Sequence, residues 1–265
     1  MNKLNSRALS SVLNYRILII LVETVLIYFL YDKHQINLKV DFTIMSIAIV
    51  FPLVFSITSA YQRRQEGIIL FSEFRNKIID LTNIFYAVDE VNKKEYVTLF
   101  NKLVAVQTEL NIYLIDSSSK SDFGIIREKR KEVLLIIDSH KKLFNEREKD
   151  SLIRVKNELF LSAEQIRGIK IHGTPISLRK YCLIFIYFSP FLYNSQLIIM
   201  GSEAGFQLES IVSLIFSMVV SFVLMALYNV QDYIENPFDQ KGLDDLNIEA
   251  MKVNDWESMY TDDNE

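Results

Sequence analysis

The 265-residue chain has a single cysteine, Cys182, only four prolines and seven glycines. One cysteine excludes an intrachain disulfide and any cysteine-built metal site. So few chain-breakers argue against a turn-rich β fold and for long helices. The three histidines, His34, His140 and His172, lie far apart, so the chain has no His/Glu zinc spacing. It also lacks a Gly-rich phosphate loop and a nucleophile elbow. No enzyme activity and no cofactor are therefore expected. A net charge of −4 is too close to neutral to suggest a nucleic-acid partner.

What the chain does have is long apolar runs. Residues 42–61, 181–200 and 211–228 contain no Asp, Glu, Lys, Arg or His, and residues 17–31 contain only Glu23. A bilayer core of about 30 Å needs roughly 20 apolar residues per helix. The runs fall in two pairs, separated by a charged stretch. The sequence thus predicts an all-α membrane protein: four transmembrane helices in two hairpins, with a cytoplasmic helical bundle between them.

The expected division begins with an N-terminal segment and first hairpin over 1–61, with spans of about 14–31 and about 42–61. A cytoplasmic helical region follows over 62–180. The second hairpin covers 181–232, with spans of about 181–200 and about 208–228, and an acidic tail covers 233–265. Pro52 and Pro190 lie inside spans, where proline bends a helix and frees a carbonyl that neighbours satisfy. After the first run, Tyr31, Asp32, Lys33 and His34 offer no small-x-small cleavage site, so that run is expected to be retained.

Charge sets the orientation. Lys3, Arg7 and Arg16 precede the first span, Arg63 and Arg64 follow the second, and Arg179 and Lys180 precede the third. By the positive-inside rule the protein sits in the cell membrane with both termini and the central region cytoplasmic. Within that region Phe71, Phe74, Ile78, Leu81, Phe85 and Val88 repeat at 3-4 spacing, as do Tyr96, Leu99, Leu103, Val106, Leu110 and Tyr113. Each set predicts a helix with one apolar seam. A third helix is expected over 124–148, and a fourth capped by Asp150 and Ser151 and running to about Arg167. The tail from Asp239 onward has nine acids against Lys241 and Lys252 and reads as a solvated extension that can pack on the bundle.

In the second run Ile47, Phe51 and Phe55 lie at i, i+4 and i+8 and form one apolar ridge on a helix. Small hydroxyl residues lie elsewhere on the same run: Thr43, Ser46, Ser56, Thr58 and Ser59. Such residues let helices pack closely. Copies of this helix around an axis would stack the ridge into hydrophobic rings that gate by dewetting. The ridge is followed by Ala60, Tyr61, Gln62, Arg63 and Glu66.

In this neck spacing and the Ala-Tyr-x-Arg-x-x-Glu closure the chain resembles the bestrophin family. Glu23 in the first run, Ser189-Pro190-Phe191 in the third, and Asn236-Pro237-Phe238 after the fourth extend the resemblance. It covers both hairpins and the start of the tail, about 100 residues in scattered pieces. The resemblance implies a homopentameric channel that passes inorganic ions passively through a pore lined by the second span. Anions are the first expectation, but eukaryotic relatives favour anions and some bacterial ones cations, so the sign of the ion stays open. Ile47, Phe51 and Phe55 would be its neck. The chain departs from the family after Arg63, where Arg64 and Gln65 replace an aromatic pair. It departs again after Phe238, where the acids are spread out. No metal is expected; Asn236, Asp244 and Asp245 are the weak candidates. Glu23, an ionisable group inside a span, is a functional candidate by its placement. The competing reading is a non-conducting membrane scaffold or sensor whose cytoplasmic helices bind a partner.

Overall fold

The computed structural model describes residues 12–36, 42–116, 122–203, 207–240 and 245–253. Seven α-helices account for most of them: α1 (Tyr15–His34), α2 (Phe42–Tyr86), α3 (Lys93–Ile115), α4 (Gly124–His140), α5 (Glu146–Ile171), α6 (Ile176–Glu203) and α7 (Gln207–Tyr233). One turn of 3-10 helix, Glu249–Met251, follows. The chain separates into two compact units. One comprises Met1–Gln62 and Gly173–Glu235, the other Arg63–His172 and Asn236–Glu265.

The first unit packs α1, α6 and α7 against one another. Its core joins Ile20 of α1, Leu53 of α2, Cys182, Ile186 and Tyr193 of α6, and Met225 of α7. Its outward surface is apolar as well: Leu18, Val22, Leu26 and Phe29 on α1 and Ile211, Ile215, Phe216 and Val219 on α7 are all exposed. Thr24, Asn194, Ser217 and Ser221 are buried instead. Apolar groups outside and polar groups inside is the distribution of a protein solvated by lipid, where association rests on close packing and interhelical hydrogen bonds. Two helical stretches, Glu146–Ile198 and Ile211–Tyr233, are long and apolar enough to cross a membrane among the described residues. In the first of these the charge-free part is 181–198. The expected spans in α1 and at the start of α2 are not among these two. Arg16, Glu23, Asp32 and Lys33 punctuate α1, and Arg63 and Arg64 follow the apolar start of α2.

The second unit is a water-facing bundle. Phe71, Phe74, Ile78, Leu81 and Phe85 of α2 and Leu99, Leu103, Val106 and Leu110 of α3 are fully buried, joined by Val133 of α4 and Leu159 of α5. Burying each such side chain contributes about 1.5–3 kcal/mol. The two apolar seams are therefore the faces that meet. Ion pairs tie the outer edges, with Lys77 on Glu158 at 2.8 Å and Lys102 on Glu132 at 2.6 Å.

Three details differ from the sequence expectation. First, the second apolar run and the first cytoplasmic seam form one 45-residue helix, α2. Gly67 lies inside it, and a Cβ there would come 3.1 Å from Leu246 and 3.3 Å from Phe238. A larger residue there would crowd the tail side chains packed against the helix backbone.

Second, the stretch 124–148 is not one helix. α4 stops at His140, and Phe144 turns inward against Phe85 with ring centroids 5.0 Å apart. α5 starts at Glu146 behind an Asn145 cap, not at Asp150 and Ser151. Glu148 N donates to Asn145 Oδ1 at 3.0 Å and Asn145 N donates to Glu148 Oε2 at 2.8 Å. The same box opens α3 with Asn92 and Glu95. Satisfying two orphan donors reciprocally outweighs a single-residue cap.

Third, the tail, expected as a solvated extension that can pack on the bundle, goes further and joins its core. Phe238, Leu246, Ile248 and Val253 enter the bundle core. Gln107 clamps the tail backbone, donating to Met251 O at 3.1 Å and accepting from Val253 N at 3.0 Å.

Candidate functional site

The α2 ridge is the natural starting point. Ile47, Phe51 and Phe55 are 58%, 60% and 55% exposed, whereas Ile49, Leu53, Ser56 and Ala60 on the opposite face are buried. The periodicity of the helix forces this split. Positions at i, i+4 and i+8 share one side, and the close packing of Ala60 and Ser56 fixes which side turns inward. The Phe51 and Phe55 rings meet edge to face, 4.6 Å apart at 87°. A hydroxyl anchors the buried side, Tyr181 donating to Ala48 O at 3.3 Å. In a single chain the ridge is an uncovered, rigid apolar stripe.

The residues that close the motif have separate placements. Tyr61, in the first unit, is exposed. In the second unit Arg63 Nη1 donates to His172 O at 3.4 Å, and Glu66 is exposed. The Asn236-Pro237-Phe238 segment starts the tail's path onto the bundle. Asn236 Oδ1 accepts from Phe238 N at 3.2 Å, Pro237 O accepts from Leu246 N at 2.8 Å, and Phe238 is fully buried. Asn236 is thus committed to a turn. Of its two partners in the metal expectation, Asp244 lies outside the described residues and Asp245 is half-buried. No group of three or more His, Cys, Asp or Glu side chains with metal-holding geometry occurs among the described residues.

Glu23 is half-buried on α1. It borders a recess of about 360 Å³ lined by Leu183, Ile184, Tyr187, Phe188 and Phe191 of α6. Among the described residues no hydrogen bond or ion pair reaches its carboxyl group.

Two polar constellations in the first unit escaped the sequence reading. The first lies at the centre of α1, α6 and α7. Thr24 Oγ1 donates to Ile20 O at 2.7 Å and lies 2.6 Å from Ser221 Oγ. Tyr193 OH bonds Ser221 Oγ, and Ser217 donates to Asn194 Oδ1. Asn194 Nδ2 in turn donates to Thr24 O at 3.1 Å. One proton per hydroxyl satisfies the chain if Tyr193 donates to Ser221, Ser221 to Thr24, and Thr24 to Ile20 O. The signal was present in the sequence: Ser213, Ser217 and Ser221 recur at i+4 in the fourth apolar run. The partner side chains on α1 and α6 carried no such period.

The second constellation gathers where α1 and α6 start and α7 ends. Asp232 receives Arg16 at 2.9 Å and Arg179 at 2.8 Å. Glu235 accepts from Thr174 N at 2.7 Å, from Thr174 Oγ1 at 2.9 Å and from Gln231 at 3.0 Å. A carboxylate on the backbone N–H just before α6 suits the positive end of the helix dipole. Arg16 and Arg179, which the positive-inside rule counts as free charges, are therefore neutralised in place.

All-helical, with a lipid-type unit and a water-type unit built from alternating parts of the chain, the protein has the fold of the bacterial bestrophin homologues. The crystal structure of such a homologue from Klebsiella pneumoniae matches it at a TM-score of 0.71 and 16% identity. That match covers 89% of this chain and 93% of the other. A crystal structure of a membrane protein matches at a TM-score of 0.73 and 15% identity, over 89% and 92% of the two chains. No family model matches the sequence, and no curated protein does.

Proposed function

We propose that the chain is one subunit of a bestrophin-like ion channel. It would conduct passively through a pore on the axis of a homo-oligomer, with five copies expected from the family resemblance. The observation that carries this reading is the α2 ridge: Ile47, Phe51 and Phe55 stand uncovered on one side while the opposite side is packed. Arranged around an axis, the ridge forms three stacked apolar rings, and a pore of that lining passes ions only when it is wide enough to stay wet. The four helices α1, the start of α2, α6 and α7 would span the cell membrane with both termini cytoplasmic. The permeant species is an inorganic ion, an anion on first expectation or a cation, and the sign of the reversal potential assigns it. Ion flow down a gradient needs no covalent chemistry.

The test is purified protein in a planar bilayer under asymmetric KCl. A reproducible current whose unit conductance rises in Phe51→Ala/Phe55→Ala supports the neck, and the reversal potential gives the sign of the ion. Unchanged conductance in a folded double variant refutes the neck. A protein that carries no current in either form and runs as a monomer favours the scaffold reading.

A further inference from the structure

We propose that the recess beside Glu23 is a binding site for an amphiphilic organic cation, an amine or quaternary ammonium group carried on a hydrocarbon chain. Glu23 lies eight residues after the start of α1, about 12 Å along the helix axis. With α1 spanning the membrane as in the proposed function, Glu23 sits about midway between the charged residues Arg16 and Asp32 of that helix. A carboxylate held in apolar surroundings without a partner is strongly disfavoured, so such groups are neutralised or paired. The other charged groups at that end of the unit are already paired: Arg16 and Arg179 hold Asp232, and Arg179 approaches Glu235. None of them is seen to reach Glu23.

The walls of the recess define the ligand. Tyr187, Phe188 and Phe191 supply three aromatic rings beside one carboxyl group. Phe188 and Phe191 lie stacked, 5.8 Å apart with 23° between their planes. Ring faces attract cations, and quaternary ammonium groups most selectively. Leu183 and Ile184 complete the wall with surface suited to a hydrocarbon chain. One carboxylate balances one positive charge, so a monocation fits better than an anionic headgroup. The volume of about 360 Å³ accommodates a trimethylammonium group and the first carbons of its chain. The inference rests on the membrane placement in the proposed function but not on conduction.

The experiment uses the full chain in lipid nanodiscs and measures retention of radiolabelled decyltrimethylammonium. Decanol of the same chain length serves as the uncharged control, and empty nanodiscs as the background. The expected result is at least about tenfold tighter retention of the cation over the alcohol. Glu23→Gln should reduce that ratio to near one. Phe188→Leu keeps the charge and alters only an exposed side chain, and it should lower the ratio about threefold; it serves as the second variant if Glu23→Gln fails to fold. Equal retention of the two probes by the unaltered protein overturns the proposal, as does a ratio unaffected by either variant. If a second copy of the chain covers Glu23, the unaltered protein does not retain the cation and Glu23→Gln shifts the oligomer size; that outcome overturns it too. Currents are recorded separately, so loss of conduction with intact cation retention refutes the channel alone.

Discussion

Lys170 offers a sharp test of how the cytoplasmic bundle is held together. It reaches from the last turn of α5 to the C-terminal end of α3. Its ammonium donates to Tyr113 O, and to Asp116 O at 2.8 Å. It also stands 4.2 Å from the centre of the Tyr113 ring. The end of a helix leaves four carbonyls without intrahelical partners, and a cation there also meets the negative end of the dipole. Hydrogen bonds to a charged group contribute about 1.5–3 kcal/mol, and desolvation of the half-buried ammonium offsets part of that. A net loss of about 1–2 kcal/mol is expected for Lys170→Met, which keeps the length and apolar stem of the side chain. In a chain of this size that corresponds to a fall of roughly 2–8 °C in Tm.

A pH series adds a second readout. Burial pushes the Lys170 pKa below the ordinary lysine value, with the Asp116 carboxylate opposing. Between the lowered and the ordinary value the unfolded chain holds a proton that the folded chain has released. Stability therefore rises with pH across that window, and below it the full penalty for a buried charge persists. Thermal unfolding of the detergent-solubilised protein should show a rise toward alkaline pH that is smaller in Lys170→Met. An unchanged Tm at neutral pH, or identical pH slopes in the two proteins, would refute the assignment of Lys170 as the cap of α3.

Two further perturbations address the polar contacts. Tyr193→Phe removes the head of the hydroxyl chain and should lower stability by about 0.6–1.7 kcal/mol. In combination with Ser221→Ala the losses should be less than additive, and strict additivity in a double-mutant cycle would mean that the two hydroxyls act independently. Gln107→Leu leaves Met251 O and Val253 N without partners. Trypsin should then cut after Lys252 roughly tenfold faster than in the unaltered protein, and an unchanged rate would show that the apolar contacts of Leu246 and Ile248 hold the tail by themselves.

Much of the architecture was legible because its causes are local. The α2 seam from Phe71 to Phe85 and the α3 seam from Leu99 to Leu110 recur at 3-4 spacing, and any helix with that pattern must bury that side. The scarcity of proline and glycine pointed to the all-helical class, and the family resemblance agrees with the fold. The start of α5 was misplaced because Asn145 and Glu148 make their box only when the backbone has already turned at Phe144. That turn is driven by a contact with Phe85, a residue almost 60 positions away. Gly67 carried no sequence signal for the same reason: its neighbours Phe238 and Leu246 come from the other end of the chain.

By itself the amino-acid sequence determined where the chain is helical, which runs are apolar, and which stripe of each helix is hydrophobic. Those properties follow from the order of neighbours within one or two turns. Only the tertiary structure decided which stripe is covered and which stands open. It separated the uncovered Ile47, Phe51 and Phe55 from the packed Ile49 and Leu53, and set Glu23 beside aromatic rings with no hydrogen bond or ion pair among the described residues. It also joined Thr24, Tyr193, Asn194 and Ser221 into one network, and set Lys170 and Gln107 on backbone groups of distant segments. The physical reason is that both faces of α2 are apolar, and hydrophobicity cannot say which neighbour will cover them. Likewise a polar side chain carries the capacity for a hydrogen bond in its own structure, but its partner is named only by the packing of helices far apart in the chain.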